Sequence, residues 1–324
     1  MVETIYVTTP GVSIHQDGGL LVLEQDHQVL KELPMATVGN LVLGRTVQIS
    51  TQVIFSLVKQ GSLIQFVDYK YNVVGTLGDE HTTLSKLLWQ AENFQDETFA
   101  LRGAKYIVQR KVTAQLSILN RYNKTKSIPK YEFVRSTLER LLNRIKRTRT
   151  IDGLRGIEGL ASKTYFSAWD AVLSTPWEFS GRKRHPSPDP VNAILSYGYS
   201  FLEREVRACL VTVGLDVRIG VLHSTNNRKD SFVYDVMDLL RQEVIDRFIL
   251  KVLNTHRVSV SDFDISNRGC YMAKESNKKW IQLYEEYMTT PVTRFGDITP
   301  RQWIQREINS FMAYLQSVEH NRVA

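Results

Sequence analysis

The pattern of hydrophobic and polar positions changes once along the chain, near residue 80. Before that point, short runs rich in leucine and β-branched residues are separated by turn signals such as Asp17-Gly18-Gly19, which is typical of β-strands. One segment, STQVIFSLVKQG, has helical spacing instead, with Ser50 or Thr51 as its N-cap and Gly61 at its end. Strands are predicted at TIYVTT, GVSIHQ, LLVLEQ, HQVLKEL, NLVLG and SLIQFVD.

From about Leu84 onward the apolar residues recur with helical spacing, and no alternating strand pattern is convincing. The stretch WEFSGRKRHPSPDP, residues 177–190, interrupts the helices and predicts a loop that is mobile or becomes ordered by a ligand. We therefore expect an α+β protein with a small β-rich domain at 1–80 and a larger all-α domain at 81–324. Helices are predicted at LSKLLWQAENF, ETFALRGAKYIVQRKVTAQLSILN, EFVRSTLERLLNRIKR, IDGLRGIEGLASKTYFSAWDAVL, VNAILSYGYSFLEREVRACLVTVG and SFVYDVMDLLRQEVIDRFILKVL.

The charge of the chain is concentrated in one segment, which points to a partner. The formal net charge is +7, yet residues 101–150 alone hold 14 Lys and Arg against two acidic residues. A basic excess of this kind favours a polyanion as partner, and nucleic acid in particular. A solvated, lysine-rich surface is the alternative.

Several function classes are excluded by what the sequence lacks. No run of about 18 apolar residues is present, so no membrane span is predicted, and no signal peptide is expected at the N-terminus. Two cysteines outside any CxxC motif argue against a disulfide framework or a zinc site, so a reducing cytoplasm is expected. No P-loop, HExxH or dinucleotide fingerprint is present.

The helix that begins near Ser231 has an acidic face. Asp235, Asp238, Gln242 and Asp246 lie opposite the apolar face. On spacing alone this face is either an ordinary solvated surface or, because Asp235 and Asp238 are three apart, a pair of carboxylates within reach of one ion.

Two further residues are candidates for the same chemistry. His223 ends the apolar run VRIGVLH, where a histidine either caps a loop or binds a metal. Glu158 lies between Gly156 and Gly159, which indicates close approach to the backbone by another helix or by a phosphate chain. A glutamate, a histidine and an aspartate from separate segments would suit Mg²⁺ or Mn²⁺, although spacing cannot establish that they converge.

At these residues the sequence resembles a known family, the CRISPR-associated integrase-endonuclease that is the first-numbered Cas protein, Cas-one. The matching motifs, in family order, are GIEGLASKTYF, DPVNAILSYGYSFLEREV, GVLHS and SFVYDVMDLLRQEVIDRF. The resemblance implies a β-domain that mediates homodimerisation and an α-helical catalytic domain that inserts new spacer DNA into the CRISPR array. In that reaction a 3′-hydroxyl of the prespacer attacks a phosphodiester at a repeat boundary by transesterification. Two such dimers and a dimer of the second-numbered Cas protein form a heterohexamer.

The resemblance also implies roles for individual residues. The family's metal ligands fall on Glu158, His223 and Asp238, with Mg²⁺ or Mn²⁺ as cofactor, and Asp235 is a supporting acid. Asn192 matches a recurrent family position that is either functional or structural. DNA contacts are expected from Tyr165, Tyr234, Arg241, Arg140, Arg144, Arg147, Arg182 and Arg184. A non-catalytic DNA scaffold and a general metal nuclease outside CRISPR systems remain as alternatives.

Overall fold

The computed structural model describes residues 3–69, 71–78, 84–183, 186–223 and 230–323. The chain divides into two compact units, Met1–His81 and Thr82–Ala324. None of the described helices combines the length and the apolar character needed to cross a membrane.

Among its described residues, the first unit contains two four-stranded sheets and one α-helix. In the first sheet the order is β1-β5-β7-β8, with β1, β5 and β7 parallel and β8 antiparallel. In the second the order is β4-β3-β2-β6, with the β2-β3-β4 meander antiparallel and β6 parallel to β2. The bounds are β1 (Glu3–Val7), β2 (Ser13–Asp17), β3 (Leu20–Gln25), β4 (Gln28–Pro34), β5 (Val38–Gly44), β6 (Gln48–Ile49), α1 (Thr51–Lys59), β7 (Leu63–Val67) and β8 (Val73–Leu77).

All six predicted strands and the predicted helix are confirmed in this unit. Ser50 is the N-cap of α1, because its hydroxyl accepts from the backbone N–H of Val53. The core is formed by the alternating inward residues of the strands, including Ile14, Leu21 and Leu41, together with Val53 and Leu57 of α1.

The second unit is mainly helical. Its helices are α2 (Leu84–Gln95), α3 (Glu97–Lys126), α4 (Tyr131–Arg147), α5 (Ile151–Phe166), α6 (Trp169–Val172), α7 (Pro190–Thr212), α8 (Ser231–Arg241), α9 (Arg247–Asn254), α10 (Asn277–Thr289) and α11 (Pro300–Val323). A π-helical turn, Gln242–Asp246, joins α8 to α9. Helix α8 packs against both α3 and α7, and α3 also packs against α4 and α5.

The predicted α+β class is confirmed, but strands β6 and β8 of the first unit were not predicted, and the expectation that residues 81–324 are all-α is wrong. Strands β9 (Phe263–Ser266) and β10 (Gly269–Met272) form an antiparallel hairpin in the helical unit. Each strand has only four residues, which is too short for an alternating pattern to stand out.

Candidate active site

The acidic face of α8 is buried. Asp235, Asp238, Gln242 and Asp246 are each no more than 2% exposed. The alternative of a solvated helix face is therefore wrong. Buried carboxylates need donors or cations nearby, and here these come from neighbouring helices and from the loop before α8.

Asp235 holds the loop that carries His223. Its Oδ2 accepts from the backbone N–H groups of Val221 (2.5 Å) and Leu222 (3.0 Å). Its Oδ1 accepts from the backbone N–H of His223 (2.9 Å) and lies 2.6 Å from Nδ1 of the same residue. A Cβ at Gly220 would lie 2.6 Å from Oδ2, so only glycine allows this approach. Because a carboxylate only accepts, Nδ1 carries a proton and donates it to Asp235, which leaves Nε2 as the ring nitrogen that could bind a metal.

Asp238 faces two cations. Its Oδ1 accepts from Nζ of Lys111 (2.9 Å) and from Nη1 of Arg241 (2.7 Å). The same Lys111 ammonium donates to Oε1 of Glu158, which also accepts from the Ser162 hydroxyl (2.9 Å). Glu158 on α5 and Asp238 on α8 therefore meet at one positively charged group supplied by α3.

The electrostatics of this group keep Asp238 ionised. Burial alone would raise the pKa of Asp238, but attraction to Lys111, Arg241 and His223 outweighs burial and lowers the pKa to about 2. Because His223 is among the groups that lower the pKa of Asp238, its imidazole lies within electrostatic range of that carboxylate.

The two carboxylates suit a hard divalent cation such as Mg²⁺ or Mn²⁺, and the imidazole favours Mn²⁺ of the two. Within the described residues, no three His, Cys, Asp or Glu side chains lie close enough to hold a metal ion. Instead, the Lys111 ammonium stands in for a cation between Glu158 and Asp238. The types of these residues fit a metal ion, because two carboxylates already share one cation and no hydrogen bond from the described residues occupies Nε2 of His223.

A third buried acid, Asp246, follows Asp238 by eight residues. Asp246, at the end of the π-helical turn, accepts from the hydroxyls of Tyr199 (2.6 Å) and Tyr165 (3.1 Å). Burial raises the pKa of Asp246 to about 6 despite these hydrogen bonds. Burial, followed by the charge of Asp246, raises the pKa of both tyrosines well above 10. The tyrosines therefore remain neutral donors.

Comparison with known protein families gives a match to the family described as CRISPR associated protein Cas1, over residues 5–286. The chain belongs to the Cas1 family. A curated relative, CRISPR-associated endonuclease Cas1 1 of Thermodesulfovibrio yellowstonii, is 29% identical over 294 residues, covering 88% of this chain and 91% of the relative. The resemblance stated from the motifs is thereby confirmed.

Solved structures show the same fold. A CAS1 protein from Thermotoga maritima has a TM-score of 0.83 at 24% identity, covering 97% of each chain. A casposase bound to integration product has a TM-score of 0.82 at 20% identity, covering 98% of this chain and 91% of the casposase. A chain of a Cas6-RT-Cas1--Cas2 complex has a TM-score of 0.81 at 18% identity, covering 98% of this chain and 35% of the larger one.

Two of the DNA contacts expected for a Cas1 protein need correction. Tyr165 is 0% exposed and donates to Asp246, so its ring is part of the core and cannot contact DNA in this conformation. Arg241 is buried as well, with its guanidinium bonded to Asp238 and lying 5.2 Å from the centre of the Tyr199 ring. Arg241 therefore positions Asp238 rather than reaching out to a phosphate.

The loop after α6 is fixed to α7 by Asn192 and Arg182. The Asn192 side chain accepts from the backbone N–H of Lys183 and donates to the carbonyl of Gly181, which shows a structural role. Arg182 donates to the Asn192 side chain and to the Ser196 hydroxyl. A DNA contact by Arg182 stays a prediction, and Arg184 lies outside the described residues.

The remaining predicted DNA contacts lie where DNA can reach them. Tyr234 is half-buried, with its ring centre 6.3 Å from that of His223. Arg140, Arg144 and Arg147 are exposed on α4, opposite the buried residues Leu138, Leu141 and Ile145. Their contact with DNA stays a prediction.

The glycines beside Glu158 do not serve helix packing. A Cβ at Gly156 or at Gly159 would meet nothing within 4 Å, and both positions are exposed. The explanation by helix packing is therefore wrong. Approach of a phosphate chain to the exposed glycines of α5 stays a prediction.

The sequence analysis missed Lys111 and Arg155. Lys111 had a signal, because with Gln115 it interrupts the buried apolar stripe of α3 that includes Val108 and Val112. Arg155 donates from Nε to the carbonyl of Leu222 (2.8 Å) and so ties the His223 loop to α5. No sequence pattern links an arginine to a carbonyl so far along the chain.

Proposed function

We propose that this chain is a metal-dependent DNA integrase and endonuclease of CRISPR adaptation. Glu158, His223 and Asp238 are its ligands for Mg²⁺ or Mn²⁺, and spacer DNA is its substrate. The observation that carries the proposal is the meeting of Glu158 and Asp238 at one cation, beside a histidine oriented by Asp235. Membership of the Cas1 family supports it, as does the casposase of similar fold whose structure contains an integration product.

The proposed reaction is a transesterification. The oxygen of a prespacer 3′-hydroxyl forms a new bond to phosphorus at a repeat boundary, and the bond to the 3′ oxygen of the cut strand breaks. The proton lost by the attacking hydroxyl is balanced by the proton that the leaving oxygen takes up. A bound divalent ion would supply polarisation of the phosphate and stabilisation of the two reacting oxygens.

The protein's own residues organise this site. Asp235 fixes the ring of His223 and keeps the proton on Nδ1, so Nε2 is the ligand atom. Arg241 orients the Asp238 carboxylate and, together with Lys111 in the metal-free protein, keeps it ionised. The exposed arginines of α4, which are Arg140, Arg144 and Arg147, bind the DNA backbone through charge, without sequence preference.

The proposed assembly follows the family. Two homodimers, formed through the β-rich first unit, hold a dimer of the second-numbered Cas protein in a heterohexamer. A solved Cas6-RT-Cas1--Cas2 complex of similar fold supports the pairing of the two kinds of protein. The stoichiometry and the dimerising role of the first unit are part of the proposal.

A half-site integration assay tests the proposed function. It uses the purified partner protein, a supercoiled plasmid that carries the repeat, and a DNA fragment with free 3′-hydroxyls, with Mg²⁺, Mn²⁺ or neither. We expect His223→Ala to abolish joining while DNA binding survives. His256→Ala is the matched control, because His256 is exposed after α9 and should leave joining intact.

Normal joining by His223→Ala would contradict the assigned site. A wild-type protein that binds DNA but neither cleaves nor joins it with any divalent ion would favour the non-catalytic scaffold. Hydrolysis of DNA without any joining would favour the alternative of a general metal nuclease.

A further inference from the structure

Lys111 is a buried lysine whose ammonium lies between two carboxylates of the proposed metal site. Its side chain is 4% exposed, and Nζ donates to Glu158 and to Asp238. Apart from Gln115, the buried residues around Lys111 on α3 are apolar, among them Ile107, Val108 and Ala114. A buried ammonium among apolar residues is costly unless anions compensate it, so the position of Lys111 depends on those two acids.

The dependence is mutual. Asp238 is 1% exposed and Glu158 is 24% exposed, so water screens their repulsion poorly. Lys111 and Arg241 supply two positive charges against these two negative ones. The group is therefore balanced without any metal ion, and an added divalent cation would meet a site whose charge is already neutralised.

We propose that Lys111 is a tethered counter-ion that occupies the place between Glu158 and Asp238 in the metal-free protein and yields it to a divalent cation. Lys111 thus stabilises the metal-free fold and weakens the affinity for the metal, so that the site is loaded only at sufficient metal concentration. The inference rests on the proposed function, because it takes Glu158 and Asp238 as the metal ligands.

The competition has a direction that a purely structural lysine would not produce. Removing a lysine that only supports the site would disturb the ligands and weaken metal binding. Removing a competing positive charge instead makes the site more negative and strengthens binding of Mn²⁺. A unit charge removed at hydrogen-bond distance from the ligands should tighten binding on the order of ten-fold or more, after partial screening.

The experiment measures Mn²⁺ binding by isothermal calorimetry, and thermal unfolding of the full chain in EDTA and in Mn²⁺. The variants are Lys111→Met and Lys111→Gln, the second of which keeps a hydrogen-bond donor for the carboxylates. The control is Lys124→Met, which removes an exposed lysine from the same helix. We expect both Lys111 variants to have a lower Tm than wild type in EDTA, a larger gain of Tm in Mn²⁺ and a smaller Kd for Mn²⁺. The control should match wild type in all three.

Each outcome decides the question. Unchanged or weaker Mn²⁺ binding by folded Lys111 variants overturns the inference and leaves the proposed metal site intact if wild type binds Mn²⁺. Binding by the variants alone supports the inference in its strongest form. Absence of binding by wild type and by both variants overturns the inference and the metal part of the proposed function together. Should both variants be unfolded in EDTA, folding on addition of Mn²⁺ supports the inference, and failure to fold contradicts it.

Discussion

Asp235 and Asp238 are three positions apart on α8 and have different partners. Asp235 accepts from three consecutive backbone N–H groups and lies against Nδ1 of His223. Asp238 instead faces the side-chain cations Lys111 and Arg241. The residue types and their spacing identified both acids, and the family resemblance separated their roles. Apart from Arg241, which lies on α8 itself, the partners of each acid could not be predicted, because they come from α3 and from a loop whose position depends on the packed fold.

Asp235→Asn should destabilise the protein, because the amide group offers one acceptor where the loop needs two. Leaving buried N–H groups without an acceptor should lower the free energy of unfolding by about 2–3 kcal/mol. Urea unfolding followed by circular dichroism measures the change. The control Asp264→Asn, at an exposed position on β9, should stay within about 0.5 kcal/mol of wild type. Equal stability of the two variants would contradict the assigned role of Asp235.

Asp246 should make stability depend on pH. Its pKa is about 6 in the folded protein, against about 3.9 in an unfolded chain. Because the folded state holds the proton more tightly, the contribution of Asp246 is fully favourable below about pH 4. It is lost progressively as the pH rises through about 6.

Asp246→Asn removes this titration. We expect the free energy of unfolding of the variant, relative to wild type, to rise by about 3 kcal/mol between pH 4 and pH 8. Chemical denaturation across that pH range tests the expectation. A difference that stays flat, or that falls as the pH rises, would show that Asp246 is not held in its protonated form.

At the scale of the element, the helical periodicity of α8 predicts the two faces of the helix but not which of them is buried. The pattern correctly predicted a helix with one apolar and one acidic face. It could not tell that the acidic face is also buried, since that follows from cations on other helices. The π-helical turn after α8 was likewise not predicted, and at its end Asp246 accepts from Tyr165 and Tyr199.

The exposed glycines of α5, Gly156 and Gly159, should tolerate a larger side chain. Gly156→Ala and Gly159→Ala should each raise the free energy of unfolding by roughly 0.5–1 kcal/mol. The reason is that both glycines are helical and a Cβ at either would meet nothing within 4 Å. Thermal and urea unfolding measure the gain. Gly153→Ala is the matched control without that gain, because its Cβ would lie 2.8 Å from Cγ2 of Thr148. A loss of stability at Gly156 or Gly159 would mean that this face is packed in the folded protein.

At the scale of the whole molecule, the change from β to α pattern and all strands of the first unit except β6 and β8 followed from the sequence. The order of strands within the two sheets did not, because β1, β5 and β7 pair in parallel across long connections. The hairpin of β9 and β10 was not predicted, because its strands are too short to show an alternating pattern of apolar and polar residues. The number of basic residues at 101–150 could be counted from the sequence, but the count does not show which of them are exposed. Lys111 is one of these residues, and it is buried in the candidate site.

The exposed arginines of α4 should govern the salt dependence of DNA binding. Arg140→Gln, Arg144→Gln and Arg147→Gln should each weaken binding to any DNA sequence. Each should also reduce the slope of log affinity against log salt by about 1. Fluorescence anisotropy with a labelled duplex at several salt concentrations measures both quantities. The control Arg257→Gln removes an exposed arginine that is paired with Glu286, and it should leave the slope unchanged. If the slope equals that of wild type in all three α4 variants, these arginines do not contact the DNA backbone.

We propose above all that Glu158 belongs to a metal-dependent site that joins a DNA 3′-hydroxyl to a repeat. The most direct measurement follows joining of a labelled fragment to repeat-bearing plasmid in Mn²⁺, for wild type, Glu158→Gln and the exposed control Glu275→Gln. We predict that wild type and Glu275→Gln join the fragment, that Glu158→Gln does not, and that a fragment with a 3′-deoxy end is not joined by any of them. Joining by Glu158→Gln at the wild-type rate, or by wild type in EDTA, would contradict the account.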